Sequence, residues 1–334
     1  VFNKKQKLYP ILLRIAVITA TILLLGIPLA LKTVKNIFFR DRETRRSAVP
    51  VSKLQPPVHA NAEIGNRHLT NLARKHPTLV PLYQEIDCIR ENDRTSPPNN
   101  WKKGLGSSET EQSLEDFNEN YFAVDNAPCD TVNIYILGNQ SDQEKRIVSI
   151  VSHYLLEVHG IRNLNVIDGV RELNPHEQRE KFGNIQYSTT MQLFALSEQN
   201  EENSFSLAFT NEDIYPSNKP NVNFLFGEAS ASVACGLFSS KRLSNDGIHK
   251  TIVRLMKLAS HEFAHARGLD HCTENVCAIQ GINSIKELDQ SSLIFCSQDM
   301  AKISLINNQS LQQSYQMQLD FFEDFSGLYH LDID

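Results

Sequence analysis

The chain is short of cysteine, of surplus basic charge and of internal repetition, and each shortage removes a class of function. Six cysteines in 334 residues are too few for a disulfide-framework protein. Lys and Arg number 33 against 39 Asp and Glu, a formal net charge of −6. With no basic excess, nucleic acid is not the expected partner. No segment recurs at a fixed period, which sets aside solenoids and propellers. Hydrophobic residues make up 41% and charged residues 22%, against wholesale disorder and against collagen-like or coiled-coil composition. The length suits one large domain or two small ones with ample core.

Long apolar runs are confined to the N-terminus. From Ile15 to Leu31 no residue is charged, and Ile11, Leu12 and Leu13 extend the run past Arg14. About 20 apolar residues span a bilayer as a helix, so residues 8–31 predict a transmembrane anchor with the bilayer as a partner. A cleaved signal peptide is the rival reading, but Pro28-Leu29-Ala30 lacks a small-x-small exit. Lys4, Lys5, Lys7 and Arg14 precede the run, and Lys32, Lys35, Arg40, Arg42, Arg45 and Arg46 follow it. The larger basic cluster favours a single-pass protein with a cytoplasmic catalytic domain. Residues 1–40 are thus expected to be an anchor, 41–129 a linker and N-terminal extension, and 130–334 the catalytic domain.

Residues 41–62 carry Pro50, Pro56 and Pro57 without apolar period and read as linker. Residues 91–116 read as a long surface loop, with Trp101 as its anchor. From Thr131 the pattern sharpens. Val132, Ile134 and Ile136 alternate as a strand. Ser141 and Glu144 form a capping box ahead of Ile147, Val151, Tyr154, Leu155 and Val158 at helical spacing, and Gly160 suits the helix end. Asn165–Ile167, Phe205–Phe209, Val222–Phe226 and Ala231–Cys235 read as further strands. Residues 249–267 read as a helix, and Leu311, Tyr315, Leu319 and Phe322 as another. Alternating strands and helices predict a mixed α/β domain.

Residues 261–271 carry the chemistry. The sequence His261-Glu262-Phe263-Ala264-His265 is H-E-x-x-H. On a helix, residues four apart lie on one face about one turn apart, so His261 and His265 can share one zinc. Glu262 beside them is placed to act as general base on a water. A catalytic zinc commonly takes a third protein ligand. Gly268 accepts the left-handed conformation that ends a helix, and His271 can then return to the metal. The whole spacing, H-E-x-x-H-x-x-G-x-x-H, is that of the metzincins. Cys272, Cys277 and Cys296 follow, then Asp299, and thiol spacing of this kind suits a second, structural zinc. Reduced core thiols or a disulfide are the alternatives. Cys88, Cys129 and Cys235 lack metal spacing and read as buried thiols, with a Cys88–Cys129 disulfide open only in an oxidising compartment.

Together these residues resemble the archaemetzincins, whose motif extends the three histidines into a four-cysteine zinc site. The segments Phe209-Thr210-Asn211-Glu212-Asp213-Ile214-Tyr215-Pro216 and Asn223-Phe224-Leu225-Phe226-Gly227-Glu228-Ala229 are also similar to that family. The resemblance covers about residues 130–300. It implies an α/β (α+β) metzincin-like fold, with a twisted mixed sheet, an active-site helix, a smaller C-terminal part, and peptide substrate along Phe224–Gly227. Three departures stand out. Ile279 occupies the Met-turn position, with volume and polarity that still suit packing beneath the ligands. Asp299 replaces the last cysteine, so Cys272, Cys277, Cys296 and Asp299 are expected as a Cys3Asp zinc site. The Ile279–Cys296 spacing is one residue short. The expected function is a zinc-dependent peptidase acting on peptides or proteins, with zinc on His261, His265 and His271 and Glu262 as base. A membrane-anchored zinc-binding module without peptidase activity, and a hydrolase of non-peptide amides, are the alternatives.

Overall fold

The computed structural model describes residues 79–89, 93, 109–123, 131–201, 203–219 and 221–329. The expected anchor, the proline-rich linker, Trp101 and the Cys88 and Cys129 side chains lie outside these described residues. The expected membrane localisation does not stand. Among the described residues no helix is long and apolar enough to cross a membrane.

Among the described residues two helices precede the main sheet: α1 (Val80–Ile89) and α2 (Leu114–Ala123). Then come β1 (Thr131–Leu137), α3 (Asp142–Val158), β2 (Asn163–Arg171), β3 (Arg179–Lys181) and β4 (Asn184–Ser188). The chain continues through α4 (Thr189–Ser197), β5 (Ser204–Thr210), β6 (Asp213–Tyr215), β7 (Gly227–Ser230) and β8 (Cys235–Ser239). It ends with α5 (Ile248–Ala266), α6 (Ile285–Gln290), α7 (Ser297–Asn307) and α8 (Leu311–Tyr329). The larger sheet has the order β2-β1-β5-β8-β7. Its β2, β1, β5 and β8 are mutually parallel, and β7 closes one edge antiparallel to β8. A smaller sheet has the order β3-β4-β6. The mixed α/β class expected from the sequence is what forms.

The two-residue period of the strands sends side chains to two cores. Val132, Ile134, Phe205, Leu207, Phe209 and Phe238 pack with α3 and α5 on one face. Tyr135, Leu137, Ala208, Cys235 and Leu237 meet Leu193 and Leu196 of α4 on the other. Such two-sided cover explains why these strands read as nearly continuous apolar runs. The Ser141–Glu144 capping box is present: Ser141 N–H donates to Glu144 at 2.7 Å, and Glu144 N–H to Ser141 Oγ at 3.3 Å. Leu79, Leu82 and Ile86, with Leu114, Phe117 and Tyr121 of α2, join the same core as α3 and α5.

Two strands fall elsewhere than expected. Val222–Phe226 is irregular, touching β6 only through a bridge between Leu225 and Ile214. Side chains take the place of a strand neighbour there: Arg179 Nη2 and Gln186 Nε2 donate to the Asn223 carbonyl at 2.8 and 3.1 Å. Within Ala231–Cys235, residues Ala231–Val233 form a short 3-10 turn and Ala234 is left-handed at φ 49°. The strand begins only at Cys235. These residues therefore make the bend of the β7–β8 hairpin.

Candidate metal centres and active site

Helix α5 carries the first three motif residues. Ile252, Leu255, Met256, Ala259 and Phe263 form its apolar stripe, all buried, at the spacing expected for one face. The opposite side is held by charge. Arg254 donates to both oxygens of Asp289 at 2.7 Å, to Asp246 at 2.5 Å and to the Leu243 carbonyl at 2.9 Å. Lys257 Nζ donates to the Leu288 and Asp289 carbonyls at 3.0 Å. A helix fixed on both sides holds its ligands in register.

The helix stops at Ala266, and Gly268 takes φ +88°. Gly268 N–H donates to His265 O at 2.9 Å and Leu269 N–H to Ala264 O at 3.1 Å. That left-handed residue turns the chain so that His271 faces His261 and His265. The ring centroids are 4.6, 5.4 and 4.6 Å apart around the triangle, and one ligand nitrogen from each lies within 4.8 Å of the others.

Each ring is oriented by its outer nitrogen. His261 Nδ1 donates to the Ala278 carbonyl at 3.2 Å, His265 Nδ1 to the Leu269 carbonyl at 2.7 Å, and His271 Nδ1 to Glu109 Oε2 at 3.0 Å. A carbonyl or carboxylate only accepts, so each Nδ1 donates outward and Nε2 is the nitrogen left to ligate a metal. Burial, with the neighbouring imidazoles, pushes His261 well below the ordinary histidine range and His265 to about 4. Those two rings are therefore neutral at neutral pH. Their Nε2 atoms nonetheless stand 3.0 Å apart. Ring nitrogens converging at that distance fit a shared cation, and zinc suits three imidazole nitrogens.

Glu262 lies on the next helical position, close to β7. Burial of its carboxyl, then the charge of Glu228, pushes its pKa up to about 8, while a hydrogen bond from the Ala229 amide and the charge of Lys219 pull it down. Glu228 is itself tied to Thr189 Oγ1 at 2.5 Å and to Lys219 Nζ at 3.7 Å. Gly227 is what lets β7 come so close. A Cβ there would meet Phe238 at 2.7 Å, the Leu237 carbonyl at 3.1 Å and Leu258 of α5 at 3.4 Å.

The second cluster forms where the sequence placed it. Cys272, Cys277, Cys296 and Asp299 are all buried, with one ligand atom from each within 4.8 Å of the rest. Cys277 and Cys296 Sγ each donate to Asp299 Oδ2 at 3.2 Å. Burial pushes Cys277 far up and Asp299 to about 6, and the neighbouring Cys272 pushes Cys296 to about 12. Hydrogen bonds from Cys277 and Cys296 draw Cys272 down to about 6. Four groups that would each ionise to an anion crowd together, as a cation-binding set does. Ile279 is fully buried; its carbonyl accepts from Cys272 N–H at 3.1 Å, and its neighbour Ala278 holds His261. Cys235 is a buried free thiol raised by burial to about 11, outside both clusters.

Sequence reasoning missed residues 109–113. Besides Glu109 on His271, Gln112 bridges the turn, donating to the Gly268 carbonyl at 3.1 Å and accepting from Asp270 N–H at 3.3 Å. Glu111 accepts from Thr273 N–H at 2.6 Å and Thr273 Oγ1 at 3.0 Å. These residues precede α2 and run along the ligand loop. No motif spacing links them to it.

Comparison with known proteins shows what the site is similar to. Residues 145–304 match the model of peptidase family M54. The archaemetzincin of Aeropyrum pernix is 36% identical over 86 residues, which are 26% of this chain and 47% of that protein. The archaemetzincin of Archaeoglobus fulgidus is 35% identical over 98 residues, 29% of this chain and 59% of that one. The chain thus spans about half the length of these archaeal relatives. Archaemetzincin-2 of Rattus norvegicus is 24% identical over 314 residues, covering 77% of this chain and 86% of its own. A solved structure of archaemetzincin from Methanopyrus kandleri aligns with 56% of this chain and 95% of its own, at a TM-score of 0.44 and 24% identity. By the motif at 261–271 and the match around it, residues 145–304 match peptidase family M54 and the chain is similar to the archaemetzincins.

Proposed function

We propose that this chain is a zinc-dependent metallopeptidase of metzincin-like fold, with His261, His265 and His271 holding the catalytic ion. The observation that carries the reading is the convergence of three imidazole nitrogens, each ring fixed by an acceptor on its outer nitrogen. A zinc ion bound there supplies a Lewis acid that acidifies water and polarises a carbonyl. Glu262 takes the water proton on its carboxylate and delivers it to the leaving amine. Its crowded, desolvated setting supports that role, since loss of solvation raises the proton affinity of the carboxylate. The outer edge of β7 lacks a strand neighbour among the described residues and lies against Glu262. An extended peptide pairing with that edge would pass its backbone over the three histidines. Cys272, Cys277, Cys296 and Asp299 would hold a second, structural zinc, since a closed set of four buried ligands leaves no open position for substrate.

The test is cleavage of a peptide library by the purified chain before and after chelation. Activity that disappears with the metal and returns on adding Zn2+ supports the reading. Undiminished cleavage after verified metal removal rejects it. A zinc-binding module without peptidase activity would cleave nothing in any state while still binding metal at the histidines.

A further inference from the structure

The second cluster contains one carboxylate among three thiols, and that carboxylate has a partner of its own. Asp299 and Lys302 sit three residues apart in α7, and both side chains are withdrawn from solvent, at 0% and 1% exposure. Lys302 Nζ donates to Asp299 Oδ1 at 2.8 Å. The other oxygen, Oδ2, receives Cys277 and Cys296 Sγ, each at 3.2 Å. The two oxygens are thus divided between an ammonium and the thiol cluster. A fully buried lysine is rare unless paired, and Lys302 is among the largest fully buried side chains here.

Two physical consequences follow. A carboxylate ligates a cation through one oxygen or through both. With Oδ1 engaged by Lys302, only Oδ2 faces the thiols. Zinc in structural sites is almost always four-coordinate, and three sulfurs with one oxygen meet that number, whereas a two-oxygen carboxylate exceeds it. The ammonium also offsets charge. Three thiolates and a carboxylate outweigh a divalent cation, and a buried positive group beside them reduces the excess where no water can do so.

We propose that Lys302 is a positioning residue that makes Asp299 a single-oxygen ligand and so completes a four-coordinate, three-thiolate and one-carboxylate centre. The ion it suits is a divalent cation of borderline softness, such as zinc. The proposal rests on reading the cysteine cluster as a metal site, and the experiment keeps the two apart.

The full chain is loaded with Co2+ as the probe. Thiolates give a sulfur-to-cobalt charge-transfer band and imidazoles do not, so that band reports the second centre alone. The visible ligand-field bands are intense for four-coordinate cobalt and weaken as the coordination number rises. Wild type should show the thiolate band with intense ligand-field bands. Lys302→Met should keep the thiolate band, lose ligand-field intensity and release Zn2+ to a chelator about tenfold faster or more. Lys302→Gln still donates to Oδ1 and should retain the four-coordinate spectrum. In the Asp299→Cys background there is no carboxylate to orient and only the charge offset is lost, so adding Lys302→Met should speed release by far less than about tenfold. This pair also decides the matter if Lys302→Met alone fails to fold, because removing both partners orphans no charge. A Lys302→Met spectrum equal to wild type, or acceleration in the Asp299→Cys background as large as in wild type, overturns the role of Lys302 while leaving the metal site standing. Absence of the thiolate band from wild type overturns the metal site, and the proposal with it.

Discussion

Glu109 Oε2 accepts a hydrogen bond from His271 Nδ1 at 3.0 Å across 162 residues of chain. The third histidine is thereby oriented by a carboxylate, while the first two are oriented by main-chain carbonyls of their own neighbourhood. A carboxylate on the outer nitrogen fixes the tautomer and raises ligand basicity.

Glu109→Ala should therefore weaken zinc at the histidine site about 10- to 100-fold, the usual effect of losing such a partner. Chelator competition on purified protein measures it. Glu109→Gln keeps an acceptor oxygen and should lose less. Equal affinity in the alanine variant and wild type would mean that His271 is placed by its backbone alone.

Gly268 is the second lever on His271. Its φ of +88° disfavours any side chain, although a Cβ would find ordinary 3.6 Å contacts with Phe117 and Tyr121. The expected cost of Gly268→Ala is therefore backbone strain without a clash, about 1–2 kcal/mol. Denaturant unfolding should show that loss, accompanied by weaker zinc binding. Gly268→Asn should be milder, since asparagine tolerates the left-handed region better.

His159 predicts a pH dependence of stability. It is fully buried beneath α5, bonded to Ser260 Oγ at 2.9 Å and edge-on to Phe263. Burial, then the nearby Arg267 charge, holds its pKa well below 6.5. Between the two values the unfolded chain binds a proton that the folded chain refuses. Stability is then complete above about pH 6.5 and falls by up to about 1.4 kcal/mol per unit below it, from this residue alone. The check is the difference between wild type and His159→Gln, each unfolded in denaturant at pH 7.5 and at pH 5. The variant should lose less on acidification, and parallel losses would contradict the assignment.

The residues 261–271 were legible because a helix converts spacing into direction. His261 and His265 are four apart, and Gly268 marks the turn. The cysteine cluster was legible for a similar reason, since its members fall within one short stretch. Glu109 and Gln112 were not, because contact across 156–162 residues leaves no periodic trace. Lys302 was equally hidden, as lysine in a sequence reads as surface and only packing shows it at full burial. The misplaced strand has a local cause. Val222–Phe226 is more apolar than Gly227–Ser230, yet the latter pairs with β8, because glycine at 227 permits the close approach to Phe238 and α5.

The central claim is that Glu262 moves the proton at a zinc site made by three histidines, and Glu262→Gln tests it most directly. Glutamine keeps the size and most hydrogen bonding but accepts no proton. Peptide cleavage and zinc content are measured on the same sample of each protein. The account predicts wild-type zinc at the histidines and a rate lowered by about 10²- to 10⁴-fold. A fully zinc-loaded Gln variant that cleaves as fast as wild type would contradict it.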